Sequence, residues 1–254
     1  VNVRGLELTD ESLYWAINKR TGGYNIGSIY QTLSDEVEGN IIKLVSSGAG
    51  LFAQVNTQGQ HRLLAWTIND GALVQTLDSE LNGDLIDANG FQIYISNGQA
   101  ITVYILQQGE LLPVIGEAVN EEIIATQMDA GRIFVLSESG MYIYHIDATN
   151  DVRLVRDAFI AIPGMDGFSL SGDQLYSWSA NSLYQNQLLD DYSLVEINQT
   201  TYNGQVTSSA IQDGELFWLS ISDIETRWYA YRDSELVAIL ANNIGAMAFN
   251  ESTA

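Results

Sequence analysis

A repeat constrains this chain more than any other feature. An aliphatic residue followed by an aromatic occurs at Leu51-Phe52, Ile93-Tyr94, Ile133-Phe134, Leu175-Tyr176 and Leu216-Phe217, so the aromatics step by 42, 40, 42 and 41 residues. A second marker, Leu73-Val74, recurs at Leu111-Leu112, Leu154-Val155, Leu194-Val195 and Leu236-Val237 with the same period. Short apolar runs fill each repeat, and Asn, Asp and Gly separate them, as at Asn89-Gly90, Asp129-Ala130-Gly131, Ser171-Gly172-Asp173 and Asp213-Gly214. Such turns join antiparallel hairpins, because Gly and Asn tolerate the positive φ of tight hairpin loops. An all-strand repeat of about 41 residues predicts the four-stranded blade of a propeller.

Four strands, a to d, are read in each repeat. Strand a spans residues 41–45, 84–87, 122–127, 167–170 and 208–211. Strand b holds the aliphatic-aromatic pair. Strand c holds Trp66, Tyr104, Tyr144, Tyr184 or Trp228, and strand d the Leu-Val-like pair. Residues 1–33 are read as b, c and d without an a, and Ala246-Met247-Ala248-Phe249 as an a with nothing after it. The expectation is a single all-β domain over 1–254, a six-bladed propeller of four-stranded antiparallel blades. Its blades fall at 1–33 plus 245–249, 41–77, 83–115, 122–156, 167–197 and 207–241, and the C-terminal strand enters the first blade to close the ring and cover an open edge.

Composition limits the partners. Thirty-two acidic residues against ten basic ones give a net charge of −22. Such a surface repels nucleic acid and anionic membranes. The absence of cysteine excludes disulfides, thiolate metal sites and a cysteine nucleophile. No apolar run approaches the roughly 18 residues of a membrane span. The chain starts at Val1 rather than Met, which is read as a processed or excised start. A secreted, periplasmic or cell-surface setting is expected.

Little in the sequence points to catalysis. The two histidines, His61 and His145, lie on separate strands without a second histidine at ligand spacing, and are read as surface or strand filler. Calcium loops, phosphate-cradling glycine loops and the repeated Asp-box of sialidases are all missing. No catalytic residue, metal site or cofactor is assigned. The five tryptophans, Trp15, Trp66, Trp178, Trp218 and Trp228, are read as packing between blades rather than as sugar platforms.

Leu13-Tyr14-Trp15-Ala16-Ile17-Asn18-Lys19-Arg20-Thr21-Gly22 and Leu64-Ala65-Trp66-Thr67-Ile68-Asn69-Asp70-Gly71 resemble the quinoprotein-like (PQQ-type) propeller repeat, with its alanine, hydrophobic pair and Thr-Gly or Asp-Gly turn. Gly140-Met141-Tyr142-Ile143-Tyr144-His145-Ile146 is similar to the repeats of YVTN- or LVIVD-type surface propellers. The resemblance implies the fold and an exported bacterial setting. It carries no quinone site with it, since function follows sites rather than folds.

The linkers from strand d to the next strand a should emerge on one face. Three are acidic: Asp35, Glu36 and Glu38; Asp78, Glu80 and Asp84; Glu117, Glu121 and Glu122. The next two, residues 156–166 and 196–204, are largely uncharged and offer Phe159 and Tyr202. This face is the candidate docking surface. The reading favoured is a non-catalytic binding or scaffolding module that takes a protein partner or a glycan. The alternative is a carbohydrate-active enzyme or lectin using carboxylates and aromatics at the channel mouth. Two or three converging carboxylates with raised pKa would favour the enzyme.

Overall fold

The computed structural model describes residues 3–8, 13–18, 24–28, 34–47, 50–69, 72–89, 92–147, 153–180, 182–202, 205–212, 215–221, 226–232 and 235–241. Side chains are described from Val37 to Tyr202, and at a few positions beyond. Among these residues, the strands form six four-stranded sheets.

The first sheet holds β1 (Val3–Leu8), β2 (Leu13–Asn18), β3 (Tyr24–Ser28) and β4 (Ser34–Val37). The second holds β5 (Asn40–Ser47), β6 (Gly50–Thr57), β7 (Gln60–Asn69) and β8 (Ala72–Glu80). In the third are β9 (Asp84–Asn89), β10 (Gln92–Asn97), β11 (Ala100–Gln107) and β12 (Glu110–Ala118). The fourth comprises β13 (Ile123–Asp129), β14 (Arg132–Ser137), β15 (Met141–Asp147) and β16 (Arg153–Ile160). The fifth comprises β17 (Gly167–Ser171), β18 (Gln174–Ser179), β19 (Ser182–Leu188) and β20 (Leu194–Thr201). The sixth comprises β21 (Gln205–Gln212), β22 (Glu215–Ile221), β23 (Thr226–Arg232) and β24 (Glu235–Ala241). Every sheet is ordered as in sequence, as hairpin-linked neighbours must be.

Two compact units result, one built on the first three sheets and one on the last three. In the first unit β5 lies against both β1 and β9; in the second β17 lies against both β13 and β21. The first strand of each sheet is therefore the one its neighbouring sheets share. Apolar side chains fill the space between faces. In the first unit Phe52, Leu63 and Leu77 pack with Leu85 and Ile93 of the next sheet. In the second, Phe134, Leu136 and Ile143 meet Phe168, Leu170 and Leu175. Both sequence markers have this cause. Phe52, Tyr94, Phe134 and Tyr176 are buried on their second strands. On the fourth strands Leu73, Leu111 and Leu194 pack against the core. Their followers Val74, Leu112 and Val195 are exposed, as strand alternation requires.

Several boundaries differ from the sequence reading. Residues 3–37 form a complete four-stranded sheet, so Leu13–Asn18 is its second strand, and Ser34–Val37 supplies the fourth strand that was read as an acidic linker. No strand from the C-terminus is needed to bring this sheet to four; residues 246–249 lie outside the described residues. The fourth strands of other sheets also run further than read: β8 takes in Asp78 and Glu80, β16 runs to Ile160, and β20 to Thr201.

The third and fourth strands share one irregularity. A residue is left over in the pairing at the same place in four sheets: Thr76 in β8, Asp157 in β16, Ile197 in β20 and Ile239 in β24. Such bulges accentuate twist and re-aim side chains. The packed Trp66 and Trp178 are 1% and 8% exposed, which explains them without a ligand.

Candidate functional site

The second unit brings two of the expected docking residues together. Glu121 precedes β13 and reaches the turn between β14 and β15. Its carboxylate accepts the Ser139 backbone N–H at 3.2 Å and the Ser139 hydroxyl at 2.7 and 2.8 Å. The Tyr142 hydroxyl donates to it at 2.8 Å. These bonds stabilise the ionised form. The Ser139 and Ser137 hydroxyls, then Tyr142, hold the Glu121 carboxyl down at about 2.

Tyr142 is in turn the cross-strand partner of Phe159, with ring centroids 4.8 Å apart and planes tilted by 49°. The tyrosine ring is 8% exposed, while Phe159 keeps 44% of its surface in solvent. The Arg156 guanidinium lies 5.9 Å from the Tyr142 ring centre. Burial, and then its bond to Glu121, raises the Tyr142 hydroxyl. Carboxylate, phenol and exposed phenyl thus form one continuous patch. Glu117 and Glu122 are exposed nearby in sequence, on either side of Glu121.

A second cluster on the same sheet was not foreseen. Asp157, the leftover residue of β16, receives His145 Nδ1 at 2.7 Å. It also accepts the Tyr192 hydroxyl at 3.3 Å and lies 3.8 Å from Arg132 Nε. Arg132 covers the Tyr192 ring at 5.5 Å. His145 is therefore half of a histidine–carboxylate pair rather than strand filler. The pair ties β14, β15 and β16 to the turn before β20. Nothing local in the sequence shows the pair, because residues on neighbouring strands meet only once the register between them is set.

In the first unit, Gln54 is buried at 1% and bonds to the following sheet. Its carbonyl accepts Leu85 N–H at 2.9 Å, and its amide donates to Asp84 at 2.7 Å. His61 Nδ1 lies 3.2 Å from the same amide. Gln127 repeats the device in the second unit, accepting Leu170 N–H at 2.9 Å and donating to Leu170 C=O at 2.5 Å. Asp84 and Asp78, expected as docking acids, are exposed and also bonded to neighbouring side chains, Asp84 to Gln54 and Asp78 in an ion pair with Arg62.

The remaining expected residues fall as follows. Glu38, Glu80, Glu117 and Glu122 are exposed; Asp35 and Glu36 lie on β4. Tyr202 is a correction. It is 5% exposed, packs with Tyr176, Trp178 and Leu183, and donates its hydroxyl to Ser179 C=O at 2.7 Å. Burial, reinforced by Asp166, pushes it up to about 12. An uncharged stretch read as exposed linker instead supplies core.

The carboxylates whose titration is displaced move in opposite directions. Asp87 on β9 is raised by burial, which outweighs its bond to Ala88 N–H and the attraction of Lys43. Glu121 and Asp191 are lowered by hydrogen bonds from serines. Among the described residues no three His, Cys, Asp or Glu side chains are grouped to hold a metal ion.

No family model and no curated protein matches the sequence. Solved structures do match. A candidate 6-phosphogluconolactonase from Bacteroides fragilis superposes with a TM-score of 0.65 at 11% identity, over 95% of this chain and 85% of that one. A chain in the crystal structure of the mitotic checkpoint complex gives 0.64 at 10% identity, over 97% and 83%. BamB from Moraxella catarrhalis gives 0.54 at 11% identity, over 98% and 76%. Likeness at this identity shows the fold, which is all-β and propeller-like, built of four-stranded antiparallel sheets.

Proposed function

We propose that the six sheets are the blades of one propeller ring, of the quinoprotein-like type, and that the chain is a non-catalytic docking module for a protein partner, carried on an exported or cell-surface protein. The observation that carries this reading is the patch running from Glu121 through Tyr142 to Phe159. A carboxylate that stays ionised to about pH 2 is joined through Tyr142 to an aromatic ring 44% exposed. Together they suit a partner's lysine or arginine, which gains a charge-assisted bond and an aromatic face in one place. The net charge of −22 steers such partners toward the surface. Phe159 adds apolar contact that charge alone does not give. Glu117 and Glu122 extend the acidic side of the patch; in the first unit Asp35, Glu36, Glu38 and Glu80 lie on or just after the fourth strands of their own sheets.

The test is surface plasmon resonance against immobilised lysine- and arginine-rich peptides and neutral controls, across a salt series. The cationic peptides should bind with an association rate that falls with salt. Phe159→Ala should weaken binding about tenfold, the loss expected for an aromatic anchor. Binding indifferent to both salt and Phe159→Ala would overturn the reading.

A carbohydrate-active enzyme or lectin ranks second. Its support is Asp87, a partly buried carboxylate with a raised pKa facing Tyr94 across the ladder. Glycoside hydrolysis takes two carboxylates with separate roles. Turnover in a screen of glycan and lactone substrates would put this reading first.

A further inference from the structure

The outermost strands of four sheets expose large apolar side chains: Val74 on β8, Leu112 and Val114 on β12, Phe159 on β16, and Val195 and Ile197 on β20. Each of these strands pairs on one side only within its sheet. An edge of that kind is a template for a further strand unless something blunts it. Three of the four are blunted. β8 ends in Asp78 and Glu80, and β12 carries Pro113, which cannot donate to a ladder. β16 carries Arg153, Arg156 and Asp157.

β20 is different. Its sequence, Leu-Val-Glu-Ile-Asn-Gln-Thr-Thr, has one charge, no proline and no cation. Val195, Ile197, Gln199 and Thr201 are exposed, whereas Asn198 and Thr200 are half-buried. Val195 is 47% exposed, and Ile197, at 53%, is the most exposed large hydrophobic among the described residues. Ile197 is also the leftover residue of the bulge, between Glu196, paired with Asn186, and Asn198, paired with Gln185. The ladder to β19 passes it by. Glu196 places a carboxylate between the two exposed apolar side chains.

We propose that β20 is a receptor edge for an extended segment of a partner protein, one that alternates apolar and basic residues and adds to the sheet as a fifth strand. Main-chain bonds to the edge supply affinity, and side chains beside Val195, Glu196 and Ile197 supply selection. A second copy of this chain is the poorer occupant, because two molecules of net charge −22 repel each other. A partner with lysine or arginine opposite Glu196 reverses the sign of that term. The proposal uses residues apart from Glu121 and Phe159, and it stands or falls separately from the docking patch.

The probe is a synthetic peptide of eight residues, the length of β20, alternating valine and lysine. Its control carries N-methyl groups on alternate residues, which removes the N–H groups of one edge while keeping charge and side chains. Binding is measured by isothermal titration with the whole chain. The parent should bind the peptide and not the N-methylated control. V195N/I197N should weaken binding about tenfold or more with its thermal midpoint unchanged, and Glu196→Gln should flatten the salt dependence. All titrations use Phe159→Ala as the parent, which removes lysine binding at the docking patch, so that the difference between the peptide and its N-methylated control reports on β20 alone. Equal binding of the N-methylated control, or undiminished binding by V195N/I197N, would overturn the proposal. So would a concentration-dependent dimer of the parent in sedimentation that V195N/I197N abolishes, since it would make a second copy the occupant.

Discussion

Asp87 and Glu121 are both carboxylates close to the first strand of a sheet, and their surroundings push them in opposite directions. Glu121 lies among donors and stays charged. Asp87 is partly buried and holds its proton to higher pH than the unfolded chain, where the value is 3.8. For an acid whose folded pKa is raised, the folded state binds the proton more tightly. Its stabilising effect is complete below 3.8 and is lost as pH rises through the folded value. At neutral pH the charge is therefore a cost. Asp87→Asn keeps an oxygen to accept the Ala88 N–H, bonded at 2.7 Å, and removes the charge. The variant should have a higher urea midpoint than the parent at pH 7 and a flatter stability profile above pH 4. A variant less stable at pH 7 would mean that the attraction of Lys43 outweighs burial.

Sheets in each unit are fastened by a glutamine, buried at Gln54 and half-buried at Gln127, as well as by packing. Gln54→Leu leaves the Leu85 N–H without its acceptor, in a region where both residues are buried. An unmet buried donor costs about 1–3 kcal/mol, so a fall of that size in unfolding free energy is expected from denaturant titration. Gly83 guards the same junction: it turns into β9 at φ 129°, and a Cβ there would sit 2.1 Å from Ser96 C=O. At this scale the sequence was legible wherever burial repeats. The aliphatic-aromatic pairs of β6, β10, β14 and β18 marked second strands because each of these buries its aromatic. The fourth strands were legible only in part, because an outer strand tolerates charge on its exposed side; Ser34-Asp35-Glu36-Val37 and Asp78-Ser79-Glu80 therefore read as linkers. Leu13-Tyr14 carried the pair that identifies a second strand, 38 residues before Leu51-Phe52, and it would have placed the first sheet correctly. The Glu121–Phe159 patch was legible as two candidates on one face but not as a contact, since Tyr142 and Ser139 supply the bridge. Nothing local paired His145 with Asp157, which meet only once the register of β15 on β16 is set.

For the whole molecule, the complete first sheet changes what truncation should do. Deleting residues 243–254 leaves β1 to β4 with all four strands. The expected outcome is a thermal midpoint within about 3 °C of the parent, equivalent to less than about 1 kcal/mol for a chain of this size. A fall of about 10 °C or more would give residues 246–249 a closing role. The leftover residues of the outer hairpins bear on a longer timescale. Thr76, Asp157, Ile197 and Ile239 stand in one slot of four sheets, and the adjacent strand does not count them. A hydroxyl, a carboxylate and two branched hydrocarbons have come to fill that slot while the pairing around it stayed the same. Descent can therefore alter the kind of residue there freely, without renegotiating any neighbour. It cannot alter the number as freely, because without that residue the bulge is lost, and with it the local twist and the aim of the side chains beside it.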